Sequence, residues 1–140
     1  MAQSASPAFF NGKFEKEGID ARYIPFEIEN IEELPRILEE NPELQGFNVT
    51  IPHKIAVMQY LERMSDEAKG INAVNVVKVV RNAGGKPRLW GYNSDVIGFT
   101  RSIEPLLNAD HKKALVLGTG GASKAIAYAL ERLGIEVQYV

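Results

Sequence analysis

The sequence contains no cysteine and only two histidines among its 140 residues. Without cysteine the chain has no disulfide framework, no thiolate nucleophile and no cysteine-ligated zinc site. The histidines, His53 and His111, lie far apart and show no spacing typical of metal ligands. We therefore expect neither a metal ion nor cysteine chemistry.

An excess of charge of one sign is also lacking. Sixteen Lys and Arg against eighteen Asp and Glu give a net charge of −2, and the basic residues are spread singly. Nucleic acid is not an expected partner, because a phosphate backbone is bound by clustered basic residues. No apolar run is long enough to cross a bilayer, and residues 1–7 lack the features of a signal peptide. The sequence thus predicts no membrane association and a cytoplasmic location.

The composition that is present, 45% hydrophobic and 24% charged, is typical of a globular protein. Near the start, Ser6 and Pro7 predict the N-cap and first turn of a helix that stops at Gly18. Residues 21–26 have strand-like composition, which Pro25 limits to an edge or exit. These signals predict a helix followed by a short strand.

The middle of the chain alternates between strand and helix signals. Residues 46–50 predict a short buried strand, after which Pro52 opens a helix. The β-branched run Ala73–Val80, a turn over 82–85 and a return strand over 87–90 predict a hairpin.

A helix capped by Ser94 and broken near Pro105 is the predicted junction between two domains. The first would comprise residues 1–93 and the second residues 94–140.

A strand, a glycine turn, a helix and a second strand follow one another over residues 114–140, which predicts a βαβ unit. Gly118 permits a tight turn, and Gly120 lets the backbone approach a pyrophosphate at the next helix's N-terminus. Ser123 stands where the fingerprint has its third glycine, and a turn without ligand is the alternative interpretation. The residue that selects NADP or NAD is expected about 20 residues on, at or past Val140.

Three further polar segments are candidates for chemistry. Lys54 lies in the first turn of a predicted helix, where a cation opposes the helix dipole, which indicates function rather than stability; a solvated surface lysine is the alternative. Asp95 fits a helix cap as well as a catalytic carboxylate. Ser4 and Ser6 precede a helix, and capping explains Ser6 but not Ser4.

Taken in order, these segments resemble the shikimate dehydrogenase family. The resemblance covers nearly the whole chain and implies an α/β fold, in which a substrate-binding α/β domain precedes an incomplete Rossmann-type dinucleotide-binding domain. The motifs are S-x-S-P at 4–7, N-V-T-x-P-x-K at 48–54, A-V-N at 73–75, G-x-N-[ST]-D-x-x-G at 91–98 and G-x-G-G-A-S at 118–123.

The resemblance implies NADPH-dependent, reversible reduction of 3-dehydroshikimate to shikimate in aromatic amino acid biosynthesis. By the family's pattern, Lys54 and Asp95 would form the catalytic pair. The chemistry agrees with this, since an ammonium can stabilise and protonate the oxygen that gains charge during hydride transfer. A carboxylate beside the lysine favours its charged form. The implied binding residues are Ser4 and Ser6 for the substrate carboxylate, Thr50, Asn75 and Asp95 for ring hydroxyls, and Gly118, Gly120, Gly121 and Ala122 for the cofactor.

The chain departs from the family pattern at Gln3, where many relatives have His, at Asn72 in place of Gly and at Val76 in place of Thr. The family's first strand is expected before Gln3 and the rest of the dinucleotide domain after Val140, so we expect a truncated chain that is inactive alone. Two alternatives stay open: a fragment that binds shikimate without turnover, and a quinate/shikimate dehydrogenase that uses NAD. The sequence also leaves a homodimer open.

Overall fold

The computed structural model describes residues 4–140, so the departure at Gln3 lies outside the described residues. The chain divides into two compact units, Met1–Asn30 and Ile31–Val140, and each is described by itself. The predicted domain boundary between residues 93 and 94 stays a prediction. No helix within residues 4–140 has the length and apolar character needed to cross a membrane.

The first unit contains helix α1 (Ser6–Glu17), which ends at Gly18 in the left-handed conformation with φ of 65°. Ser6 is the first residue of this helix and Ala5 occupies the N-cap position, so the predicted capping by Ser6 is wrong. Ser4 precedes the N-cap position, and its Oγ accepts a hydrogen bond from the Ser6 N–H at 3.3 Å.

The strand predicted over residues 21–26 is also wrong, since residues 19–28 have no regular secondary structure. The physical reason lies in Asn11, whose Nδ2 donates to the Tyr23 carbonyl at 2.9 Å and whose Oδ1 accepts from the Tyr23 N–H at 2.8 Å. The ring of Phe10 stacks on Tyr23 with centroids 5.0 Å apart. A side-chain amide of α1 therefore bonds the backbone groups that a neighbouring strand would otherwise bond.

The second unit begins with a 3-10 turn, Ile31–Glu33, and helix α2 (Leu34–Glu40). The elements that follow are β1 (Gly46–Asn48), β2 (Arg63–Met64), helix α3 (Asp66–Ile71), β3 (Val76–Val80) and β4 (Arg88–Tyr92). The strands form a four-stranded sheet in the order β1-β3-β4-β2. The β3–β4 hairpin is antiparallel, as predicted, and β2 pairs parallel with β4.

The helix predicted to open at Pro52 is present in a shorter form, because residues 51–55 form a turn and a 3-10 helix follows over Ala56–Tyr60. The Lys54 carbonyl, which an α-helix would bond to the Met58 N–H, accepts from the Val74 N–H at 2.8 Å. Met58 bonds to the Ile55 carbonyl instead, at 3.1 Å. The neighbouring segment thus fixes the backbone at Lys54.

Helix α4 (Asp95–Ile103) leads through a 3-10 turn containing Pro105 into the predicted βαβ unit. This unit comprises β5 (Lys113–Val116), helix α5 (Gly121–Arg132) and β6 (Glu136–Tyr139), with β5 and β6 parallel. Helices α4 and α5 share one buried cluster with the end of α3 and the segment that follows it. Its members are Ile71, Ala73, Val96, Ala125 and Ala129.

Candidate active site

Lys54 and Asp95, separated by 41 positions in the sequence, form a close ion pair. The Lys54 Nζ donates to the Asp95 Oδ2 at 2.8 Å. The side chains are 16% and 36% exposed, so water screens this pair less than it screens a surface salt bridge. Asp95 starts α4, while Lys54 lies in the turn before the 3-10 helix. A turn and a helix start, far apart in the sequence, therefore bring the ammonium and the carboxylate to one place.

Asn75 engages the other oxygen of the same carboxylate. Its Nδ2 donates to the Asp95 Oδ1 at 2.8 Å and to the Ser94 Oγ at 3.1 Å. Its Oδ1 accepts from the Ser94 N–H at 2.8 Å. Each oxygen of Asp95 thus has its own donor, which fixes the plane of the carboxylate.

The predicted capping of α4 by the Ser94 hydroxyl is wrong. Ser94 occupies the N-cap position in a helical conformation and makes no side-chain capping bond. The Oδ1 atoms of Asn75 and Asn93 accept the N–H groups of Ser94 and Asp95 instead. The Ser94 hydroxyl is left to face Asn75.

Thr50 lies beside this cluster through the end of β1. The Val49 N–H donates to the Asn75 carbonyl at 2.8 Å, which places the residue after Val49 close to the Asn75 segment. Thr50 is exposed, and its carbonyl accepts from the His53 N–H in the turn that leads to Lys54. The structure therefore brings together Thr50, Lys54, Asn75 and Asp95.

The glycine turn between β5 and α5 packs against the stem of Lys54. A Cβ atom built on Gly121 would lie 3.5 Å from the Lys54 Cδ and 3.8 Å from the Ala73 Cβ. Helix α5 begins at Gly121, so Ala122 lies in its first turn. The candidate cofactor turn and the candidate catalytic pair are therefore direct neighbours.

The geometry of this turn fits a dinucleotide pyrophosphate. Gly118 has φ of 93°, a value that glycine adopts without strain. Gly120 has φ of −70°, and a Cβ added to it would meet nothing within 4 Å, so the fold itself does not require glycine there. The first turn of α5 carries no acidic side chain. An open helix N-terminus without a competing carboxylate suits a bound phosphate.

Two predicted site residues, Ser4 and Ser6, belong to the first compact unit, at the start of α1. Within residues 4–140, no group of three or more His, Cys, Asp and Glu side chains is arranged to hold a metal ion.

A mixed α/β domain with an ammonium–carboxylate pair, followed by a βαβ unit with an open glycine turn, is typical of the substrate and nucleotide-binding parts of nicotinamide-dependent oxidoreductases. The family model described as the shikimate dehydrogenase substrate binding domain matches residues 1–77. The chain belongs to the shikimate dehydrogenase family, which confirms the resemblance and the fold class expected from the sequence.

Individual relatives agree with this assignment. The shikimate dehydrogenase (NADP(+)) of Caldanaerobacter subterraneus subsp. tengcongensis is 43% identical over 97% of this chain and 48% of its own. The crystal structure of shikimate dehydrogenase from Aquifex aeolicus is 41% identical with a TM-score of 0.83, covering 98% of this chain and 50% of its own. The crystal structure of shikimate 5-dehydrogenase from Thermus thermophilus in complex with NADP(H) and shikimate is 36% identical with a TM-score of 0.80. This match covers 97% of this chain and 50% of its own. The chain spans about half the length of the relatives it matches.

Proposed function

We propose that these residues form the substrate-binding part and catalytic pair of an NADP-dependent shikimate dehydrogenase, which interconverts 3-dehydroshikimate and shikimate. One observation carries the proposal: Lys54 donates to one oxygen of Asp95 at 2.8 Å while Asn75 donates to the other. Family membership supports the substrate, and the relatives' names support NADP.

The pair suits reduction of a ketone. Bound NADPH supplies the hydride, and the ketone oxygen then gains negative charge. The Lys54 ammonium stabilises that charge and transfers a proton to the oxygen. The Asp95 carboxylate holds the ammonium in place. In the oxidative direction the Lys54 amine takes the proton of the substrate hydroxyl.

The remaining site residues position the two ligands. Thr50, Asn75 and Asp95 would bond the ring hydroxyls of shikimate, and Ser4 and Ser6 its carboxylate. The N-terminus of α1 favours an anion, and its first turn carries no acidic side chain. The cofactor would lie on Gly118, Gly120, Gly121 and Ala122.

The direct test uses a completed protein, in which residues 1–140 are joined to the part of the Aquifex aeolicus relative that they do not match. We expect shikimate-dependent reduction of NADP+, measured by absorbance. A preference for quinate and NAD+ would favour the quinate/shikimate alternative. A folded completed protein that binds shikimate without any turnover would leave only the binding function.

Replacing Gly120 by alanine tests the cofactor turn. The change is expected to alter the free energy of unfolding by no more than about 1 kcal/mol, because the backbone conformation is ordinary and the space is open. It is expected to weaken NADP+ binding to the completed protein by about 10-fold or more, since the new methyl group would occupy the approach to the pyrophosphate. Calorimetric titration measures the dissociation constant. Gly12→Ala, at another open glycine, is the matched control, and equal NADP+ affinity in both variants would reject this cofactor site.

Replacing Ser4 or Ser6 by alanine tests the carboxylate site. Both changes are expected to raise the KM for shikimate in the completed protein, because each removes a hydroxyl donor. The loss of stability should be larger for Ser4→Ala, since Ser4 bonds to the Ser6 N–H, and it should stay near about 0.5 kcal/mol because that bond is exposed. Steady-state kinetics and thermal unfolding measure the two effects. An unchanged KM in both variants would reject the carboxylate site, and the role of Ser4 would then be limited to its bond at the start of α1.

A second candidate function, binding without turnover, is favoured for residues 1–140 on their own. The β5–β6 sheet has two strands, and three apolar residues are exposed here: Leu115 on β5, and Leu117 and Val140 directly after the two strands. The part of the chain that contains the four-stranded sheet, by contrast, has a buried core that includes Val57, Val74 and Val77. This core supports the candidate pair, so binding does not depend on a complete second sheet.

A further inference from the structure

Two polar residues stand out as buried within the described part of the chain, Asn75 at 8% and Asn93 at 3% exposure. Asn75 contacts Asp95 directly. Asn93 does not contact the carboxylate, and its side chain bonds to two backbone groups: its Nδ2 donates to the Ala73 carbonyl at 3.0 Å and its Oδ1 accepts from the Asp95 N–H at 3.0 Å. A buried amide with both ends bonded is costly to disturb.

The segment Ala73–Asn75 lies between the two loops that carry the pair. On one side the Val74 N–H donates to the Lys54 carbonyl at 2.8 Å. On the other side the Asn75 N–H donates to the Tyr92 carbonyl at 3.1 Å. The position of Asp95 relative to Lys54 therefore depends on how the start of α4 is held against this segment.

The side chains of Asn75 and Asn93 both connect the start of α4 to the segment Ala73–Asn75, and they do so in opposite directions. Asn75 extends from the segment to the start of α4, where its Oδ1 accepts the Ser94 N–H at 2.8 Å. Asn93 extends from the residues before α4 back to the segment, where it meets Ala73, which is fully buried. Neither bond alone fixes both the rotation and the distance of the helix start.

We propose that Asn93 is a positioning residue, which holds the Asp95 backbone against Ala73 so that the carboxylate reaches both Lys54 and Asn75. The inference rests on the proposed function, in which this pair is catalytic. Loss of the bond to Ala73 frees the start of α4 to move, and the 2.8 Å contact between Lys54 and Asp95 is then the first to lengthen.

Two variants separate the bonds of Asn93. In Asn93→Ser the hydroxyl can still accept from the Asp95 N–H but is too short to reach Ala73, whereas Asn93→Ala loses both bonds. Asn41→Ser is the matched control, because the Asn41 Nδ2 also donates to a backbone carbonyl, that of Ile37 at 2.8 Å, at the end of α2.

The experiment records NMR spectra of the 140-residue chain with ¹³C-labelled lysine. Asp95→Asn supplies the Lys54 signal of a broken ion pair. We expect the Lys54 signal to move toward that reference in Asn93→Ser and further in Asn93→Ala, and to keep its wild-type position in Asn41→Ser. Asn93→Ser, the milder change, decides the matter if the alanine variant does not fold.

Titration with shikimate in the same samples adds a functional measurement. We expect a dissociation constant raised by about 10-fold in Asn93→Ser and unchanged in Asn41→Ser, since a misplaced carboxylate no longer meets the ring hydroxyls. A Lys54 signal unchanged in Asn93→Ser, with stability lowered as in Asn41→Ser, would overturn the proposal and make Asn93 a structural residue only. If the wild-type chain binds no shikimate, the proposed function fails, while the Lys54 signal still decides the role of Asn93.

Discussion

Replacing Lys54 by methionine in the completed protein is expected to lower kcat by about 10²-fold or more, the usual size of a lost acid/base contribution. Methionine keeps most of the apolar stem that packs beside Gly121, so the fold should be retained. Shikimate affinity should change less, because Thr50, Asn75 and Asp95 remain. Steady-state rates of NADP+ reduction, measured over a range of shikimate concentrations, separate kcat from KM.

The control for this experiment is Lys13→Met, which removes a lysine that is 51% exposed on α1 and pairs with its helix neighbour Glu17. Its kcat should match the wild type. The double variant Lys54→Met/Asp95→Asn should have nearly the same kcat as Lys54→Met. Residues that act as one unit have non-additive effects, so the second substitution removes little further rate. An unchanged kcat in Lys54→Met would remove Lys54 from the chemistry.

The elements that the sequence predicted correctly are those with signals confined to a few neighbouring residues. The hairpin follows from a β-branched run and the turn over 82–85, and the βαβ unit from the glycine turn. Helix α3 was missed although its signals are present. Ser65 accepts from the Ala68 N–H as an N-cap, and Asn72 ends the helix at φ of 57°, which explains how asparagine stands where the family has glycine.

Two departures from the predicted elements involve distant hydrogen-bond partners. The Asn11 side chain bonds both backbone groups of Tyr23, within the segment predicted as a strand. The Lys54 carbonyl accepts from the Val74 N–H, and the helix predicted to open at Pro52 begins only at Ala56. Local propensity contains no information on partners this far away along the chain, so it could not anticipate either change.

The candidate site likewise combines residues that the sequence indicates with features that only the structure shows. Lys54 is conspicuous in the sequence because a lysine in a first turn opposes the helix dipole. Its pairing with Asp95 is a tertiary fact that spacing alone does not predict. Asn93 belongs to the G-x-N-[ST]-D motif, but its residue type indicates no particular role, because asparagine before a helix is an ordinary turn residue. Only its burial and its bond to Ala73 distinguish it.

The 140 residues purified on their own are expected to bind shikimate weakly but to show no shikimate-dependent reduction of NADP+ or NAD+. Their second sheet contains β5 and β6, whereas a dinucleotide-binding sheet normally has about six strands. Leu117 and Val140, at the ends of these strands, are 77% and 72% exposed. A cofactor on the glycine turn would therefore lack a platform for its nicotinamide ring, although the candidate pair is in place.

Calorimetry with shikimate and absorbance assays with each cofactor test the two halves of this expectation. Adding the separately expressed, unmatched part of the Aquifex aeolicus relative should restore some turnover, because it supplies partners for the exposed apolar residues of β5. Leu115→Asp, at a residue 66% exposed on that strand, should block the restoration and leave shikimate binding unchanged. Turnover by the isolated chain would contradict the expectation and would require that another copy of the chain supplies the partner strands. Sedimentation analysis would then have to show a dimer under the assay conditions, since a monomer has no other source of those strands.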